Sequence, residues 1–424
     1  MAEHAAPRIE AQNARSRREF VGLAAASLAG AAIAGYGQPS RGAETESQGR
    51  PVASDLGPQS KSLDARNPDS YVPPASDHGE VQSFWNSFSV SHRRIQTGGW
   101  TRQVNVNDFP IAKEMAGVNM RLTAGGIREL HWHSAAEWAL MLSGNARLTT
   151  FDFEHRPFVG DVAEGDLWYF PAGQPHSIQG LGPDGCEFLL VFDDGKFSEG
   201  DTTLLTDWAL HTPREVLGKD WSVSQAALSG ISGLPPEGKY IFQGKIPGTL
   251  ADDKKAAAHS RKLSPEAFTF RLQNTLPAKK TGSGEVRIAD STNFTIATNI
   301  AVAWVKVKPG GLRELHWHPN SDEWQYYLQG KGRMTVFFNA GKARTADFGP
   351  SDVGYVPRTL GHYIENTGTT DLIFLELFKA QRYQDFSLSD WITHTPPELI
   401  LDHLPIDQKT LDGIPRSDFA VVPP

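Results

Sequence analysis

The 424-residue chain has a single cysteine, Cys186, so it can close no internal disulfide and cannot build a thiolate zinc site. Cys186 stands beside the apolar run 188–192, where it reads as a small buried strand residue. Excess positive charge is missing too. Lys and Arg number 41 against 49 Asp and Glu, the formal charge is -8 and the sequence pI is about 6.0. That excludes the overall basic balance of a nucleic-acid binder but leaves room for a local cationic pocket. Long hydrophobic runs are also absent: the Ala/Gly-rich stretch from Gly22 to Ala34 falls short of the roughly 20 residues that span a bilayer.

That short stretch follows Ser16-Arg17-Arg18-Glu19-Phe20-Val21 and ends on Ala32-Ile33-Ala34, small residues where a peptidase cuts. It resembles a bacterial twin-arginine signal, so residues 1–34 are expected to be removed and the mature chain exported to the periplasm or beyond, with no integral membrane segment left. Residues 35–81, rich in Ser, Pro, Gly and Asp, read as a flexible leader. Two further domains are expected, at 82–250 and 251–424.

What the sequence does contain is a long internal repeat. Arg128-Glu129-Leu130-His131-Trp132-His133 returns 185 residues later as Arg313-Glu314-Leu315-His316-Trp317-His318. Glu137, Gly144, His176 and Phe192 return as Glu323, Gly330, His362 and Phe378. A period this long means duplicated domains, not a solenoid. Segments such as Val302–Val307, Tyr326–Leu328 and Met334–Phe338 are β-branched or aromatic and separated by turn residues, which predicts an all-β fold of two jelly-roll barrels. Short helices are expected after each barrel, where Asp207-Trp208 and His211-Thr212-Pro213 recur as Asp390-Trp391 and His394-Thr395-Pro396. That last match is three residues closer, so the first copy carries a surplus between Phe192 and Trp208.

Alternate side chains of a strand share a face, so His131 pairs with His133 and His316 with His318. With Glu137 and His176, and with Glu323 and His362, they make two three-His, one-Glu quartets. Such donors suit Mn, Fe, Ni, Cu or Zn, and leave open positions for a small anion. By strand period Arg128 and Arg313, three residues before the first ligand, face the other way, as surface ion pairs.

Gly125 through Gly144 and Gly310 through Gly330 fit the first cupin motif, and Gly165 through His176 fits the second. The second copy departs there, with Ser351 and Thr359 at the two glycine positions. The repeated hexapeptide, Asp166-Leu167-Trp168-Tyr169-Phe170-Pro171, Asp290-Ser291-Thr292-Asn293-Phe294 and Glu323-Trp324-Gln325-Tyr326-Tyr327 together resemble the bicupin oxalate decarboxylases, over roughly residues 70 to 410. The resemblance implies two manganese ions per chain, dioxygen as a co-catalyst, oxalate as substrate, formate and carbon dioxide as products, and a homo-oligomer. It also implies that Arg128 and Arg313 turn into the pocket, which a bend or bulge near Gly125-Gly126 or Gly310-Gly311 would allow. The run Phe192-Asp193-Asp194-Gly195-Lys196-Phe197-Ser198-Glu199 matches the family's catalytic lid, which makes Glu199 the acid/base. Glu376, where the first copy has Leu190, is open between a pocket acid and a satisfied structural carboxylate. Trp132 and Trp317 face away from the metal; in the family the equivalent pair stacks across subunits. Two rival functions are an oxalate oxidase that makes hydrogen peroxide, and a non-enzymatic bicupin, which would have lost its ligands.

Replacing Arg17 and Arg18 by Lys is expected to hold active enzyme in the cytoplasm, measured by fractionating cells and assaying both sides. Undiminished export would remove the signal assignment.

Overall fold

The computed structural model describes residues 60–66, 80–416 and 419–423. The twin-arginine signal expected at 1–34 lies outside them, as does most of the leader. Among the described residues no helix is long and apolar enough to cross a membrane.

Each copy is a barrel of antiparallel strands. In the second, a seven-stranded sheet (Trp85–Ser87, Asp352–Val356, Glu323–Gln329, Leu372–Phe378, Ala301–Val307, Gly284–Ala289 and Lys279–Thr281, in that order) accompanies a six-stranded sheet carrying Leu312–Trp317 and His362–Asn366. In the first, the 15-residue strand Glu137–Phe151 runs unbroken through both layers and joins them into one 12-stranded sheet. Two strands reach across the division expected at residue 250. Trp85–Ser87 pairs with Asp352–Val356 of the second copy, and Thr269–Phe270 pairs with Leu167–Phe170 of the first.

Period-two patterning explains which strands are buried on both faces. In Cys186–Phe192, Cys186, Phe188, Leu190 and Phe192 fill the first barrel, while Leu189 and Val191 join a core that continues into the second copy. Trp138, Tyr169, Trp324 and Tyr355, all fully buried, belong to the same shared core. Short helices follow each barrel as expected, at Leu205–His211 and Arg214–Asp220, then at Leu388–Thr393 and Pro397–His403. The Thr before each Pro donates its hydroxyl back to a tryptophan carbonyl, Thr212 to Trp208 at 2.7 Å and Thr395 to Trp391 at 2.8 Å.

The departures at Ser351 and Thr359 do not change the turns. Gly165 and Gly173 have φ of 84° and 76°, and Ser351 and Thr359 keep 73° and 68°. Gly173 N–H donates to the His133 carbonyl at 2.8 Å and Thr359 N–H to the His318 carbonyl at 3.0 Å, so the turn braces a ligand strand in both copies. A β-branched residue in this left-handed region costs on the order of 1 kcal/mol. Because Thr359 is exposed, Thr359→Asn, which tolerates that region, is expected to gain about 0.5–1 kcal/mol. Chemical unfolding at equal metal content measures it; a lower midpoint would show that the threonine makes a contact outweighing its strain.

Candidate metal centres

Strand Gly126–Trp132 delivers the first copy's ligands. His131 and His133 point inward and are 3% and 5% exposed, whereas Leu130, one residue before them, is 46% exposed and Trp132, between them, is half-buried. The neighbouring strand His176–Gly180 sets His176 directly opposite His131, and Glu137 opens the long strand. In the second copy, Leu312–Trp317 and His362–Asn366 place His316 opposite His362, and Glu323 again opens its strand. Within each quartet the candidate ligand atoms all lie within 4.8 Å of one another, and all eight residues are buried.

The outer nitrogens are accounted for. Nδ1 of His131, His133 and His176 lies 2.6, 2.7 and 2.8 Å from the carbonyls of Glu129, Ala135 and Gln174. Nδ1 of His316, His318 and His362 likewise faces the carbonyls of Glu314, Gln384 and Leu360. Those bonds place the proton on Nδ1 and leave Nε2 as a lone pair turned inward. Nε2 of His316 is buried without a hydrogen-bond partner, and Nε2 of His176, His318 and His362 face only the glutamate of their own quartet, at 3.3, 3.3 and 2.8 Å. A divalent metal satisfies such a convergence. Trp168 Nε1 steadies Glu137 at 3.2 Å, and Gln325 Nε2 steadies Glu323 at 2.7 Å. Burial pushes these two carboxyls up, but the facing histidines outweigh it and hold both well below the usual range. Burial, then the arginine and the other rings, keep His131 and His316 neutral, as ligands must be.

Arg128 and Arg313 do not face solvent as strand period alone predicts. They are 2% and 0% exposed. The pairing register shifts between Arg128 and His131 and again between Arg313 and His316, so a bulge between arginine and ligand turns both inward. This agrees with the orientation expected from the family resemblance, with the bulge after the arginines instead of at the glycines.

The surroundings of the two arginines differ. Arg313 Nε donates to Glu376 at 3.0 Å, and its Nη2 donates to the Tyr383 hydroxyl at 2.7 Å and to Asp385 at 3.0 Å. Glu376 is thus an ion-pair partner, fully buried, with Oε2 unbonded. Burial lowers the pKa of both guanidiniums. Glu376, Tyr383 and Asp385 more than reverse this for Arg313, whereas Arg128 stays lowered.

Arg128 donates only a long 3.4 Å bond, from Nη1 to the Tyr240 carbonyl, and its Nη2 lies 3.7 Å from Glu199. Glu199, 7% exposed, starts the 3-10 turn Glu199–Asp201 within the surplus segment. That segment is closed down: Phe197 stacks on Phe192 at 3.5 Å between centroids, and Glu199 N–H donates to Gln103 at 3.0 Å. Asn105 Nδ2 reaches the Phe197 carbonyl, also at 3.0 Å. Burial pushes the Glu199 carboxyl up against the pull of Arg128. Gln103, Asn105, Tyr240, Tyr383 and Asp385 were not singled out from the sequence; only the shortened second loop pointed towards the last two. Trp132 and Trp317 meet Trp208 and Trp391 edge-on at 5.5 and 5.7 Å.

A family model described as Cupin matches residues 86–228 and 270–412. Oxalate decarboxylase OxdC of Bacillus subtilis is 48% identical over 378 residues, 88% of this chain and 96% of that protein. The chain belongs to the bicupin oxalate decarboxylase family. An oxalate decarboxylase of Arthroderma benhamiae is 34% identical over 425 residues, 94% of this chain and 98% of the relative. A solved structure of the Bacillus subtilis oxalate decarboxylase, from work on its Mn(II) centres, matches with a TM-score of 0.82 at 48% identity. It covers 87% of this chain and 96% of its own.

Removing one ligand breaks one quartet and leaves the other. His131→Ala is expected to lower bound metal from two ions per chain to about one, because a lost ligand costs several kcal/mol of metal affinity. Elemental analysis of purified protein measures it; two ions retained would show that the quartet was misread.

Proposed function

We propose that this bicupin is a manganese-dependent oxalate decarboxylase that turns over in the first copy, converting hydrogen oxalate to formate and carbon dioxide. The observation that carries this reading is a buried guanidinium beside a metal quartet, hydrogen-bonded to no carboxylate among the described residues, with Glu199 of the closed loop 3.7 Å from it. Two nearly identical quartets and the named relatives support manganese at both sites.

Heterolysis of oxalate's C–C bond would place carbanion character on an already anionic fragment. Manganese, with dioxygen as co-catalyst, supplies the transient electron withdrawal that avoids this. The chain's own residues do the rest. Arg128 holds and polarises one carboxylate. Glu199, as its carboxylate, takes the proton of bound hydrogen oxalate, and after carbon dioxide leaves returns it to the carbon of the nascent formate. The loop from Asp193 to Thr202 excludes water while it is closed. Its Gly200-Asp201 stands where family members carry Asn-Ser, and that bears on the balance between decarboxylation and oxidation.

An oxalate oxidase would make peroxide, and a binding protein neither product. Formate and peroxide measured on oxalate, together with metal content, separate the three readings. The arginine pair at Arg17-Arg18 supports export by the twin-arginine route, and exposed Trp208 and Trp391, at 60% and 61%, support a homo-oligomer.

Glu199→Gln keeps shape and hydrogen bonding but removes proton transfer. Formate production is expected to fall about 100- to 10,000-fold, with two metal ions retained and a larger share of the remaining turnover diverted to peroxide. The formate-to-peroxide ratio at equal manganese loading measures it. A variant that keeps most of its decarboxylase activity would move the proton transfer to Glu376.

A further inference from the structure

A buried guanidinium must be compensated, and the two copies do it differently. Arg313 is met by two carboxylates and a phenol, which take its Nε and Nη2 donors. Among the described residues Arg128 is hydrogen-bonded to no carboxylate, and its ion-pair partner Glu199 stands off at 3.7 Å from Nη2. The position of Glu376 is held by Leu190, and the loop that brings Tyr383 and Asp385 is replaced by the lid. In their place, the guanidinium carbon of Arg128 lies 4.1 Å from the centroid of the Tyr240 ring.

Tyr240 is built into this position at a conformational cost. Its φ is 58°, in the left-handed region, and it is 1% exposed. Its N–H donates to Glu129 at 2.8 Å, and its carbonyl accepts from the Glu129 N–H at 2.9 Å and from Arg128 Nη1 at 3.4 Å. The second copy repeats this backbone with Ala420. Its φ is 53°, its N–H donates to Glu314 at 2.9 Å, and its carbonyl accepts from Glu314 N–H at 3.0 Å and Arg313 Nη1 at 3.4 Å. The same strained corner therefore carries an aromatic ring in one copy and a methyl group in the other. Arg94 packs on the same ring at 3.7 Å and helps to fix it.

From this contrast we infer that Tyr240 is a positioning residue for substrate binding, whose ring stabilises and orients the Arg128 guanidinium while leaving its donors to a substrate carboxylate. A π face attracts a cation without accepting its N–H groups in the plane where a carboxylate docks. A carboxylate partner compensates the charge equally well but occupies the fork, as Glu376 and Asp385 do with Arg313. The Tyr240 hydroxyl is buried without a hydrogen-bond partner, so the role assigned belongs to the ring.

The inference rests on turnover in the first copy, and the test keeps the two apart. Tyr240→Phe and Tyr240→Leu are compared with wild type, loaded with manganese, for kcat and KM on oxalate, metal content and unfolding midpoint. The Phe variant is expected to keep both kinetic constants within about twofold, because its face is equally able to hold the cation. The Leu variant is expected to keep two metal ions but to raise KM about 10- to 30-fold, with kcat changed much less. A Phe variant as impaired as the Leu variant would assign the role to the hydroxyl and overturn the inference. So would a Leu variant with wild-type KM, or one whose loss lies in kcat alone. Should Tyr240→Leu not fold, Tyr240→Ala, which copies the residue of the second copy, is read in the same way. Should neither fold, Tyr240→Phe decides: full activity upholds the ring and lost activity overturns it. Formate from the wild type is the control. Its absence sinks the decarboxylase reading, whereas its presence beside an unaffected Leu variant sinks only the role of the ring.

Discussion

A guanidinium buried beside a divalent-metal site sets charges of one sign against each other in a medium that screens poorly, and the rest of both pockets is arranged around that problem. Leaving such a charge uncompensated costs several kcal/mol. The bulge between arginine and ligand creates the problem in both copies by turning Arg128 and Arg313 inward. What differs is the compensation. Two carboxylates and a phenol enclose Arg313, whereas Arg128 meets an aromatic face and a Glu199 held at 3.7 Å. Equivalent metal quartets therefore stand beside one occupied arginine and one available.

Each copy also needs a scaffold that holds its ligands still. The carboxylates of Glu129 and Glu314, second residues of the repeated hexapeptide, do this from outside the metal sphere. Glu129 accepts N–H groups from Thr206, Lys239 and Tyr240, tying the ligand strand to two distant segments. Glu314 accepts from Ser387 and Ala420. Their own carbonyls in turn fix the tautomers of His131 and His316. A chain of this kind explains why the left-handed conformation survives at Tyr240 and Ala420 without glycine: two hydrogen bonds to one glutamate over-determine the corner.

The two barrels and the quartets were legible in the sequence because each rests on a pattern with few alternatives. Alternation marks strands, His-x-His on a strand puts two imidazoles on one face, and duplication repeats the test. The family resemblance gave the inward arginines and Glu199, where strand period alone pointed Arg128 outward, because a bulge leaves no mark in residue spacing. Tyr240 and the Tyr383–Asp385 pair were not legible. They are brought in by segments remote from the arginine they meet, Tyr240 by 112 residues, and no local motif announces a ring or carboxylate that matters only by where its loop ends. Ser351 and Thr359 show the converse. The motif's glycines are missing there, yet hydrogen bonds at both ends keep the turn and accept the strain.

In the proposed reaction the substrate carboxylate is taken by Arg128 and not by Arg313. A crystal structure of the manganese-loaded protein with oxalate, prepared without dioxygen so that turnover does not begin, tests it most directly. The account expects oxalate in the first copy, one carboxylate on the Arg128 fork beneath Glu199, with Arg313 still paired to Glu376 and Asp385. Oxalate seated only in the second copy, with Arg313 turned away from Glu376 to hold it, would contradict the account.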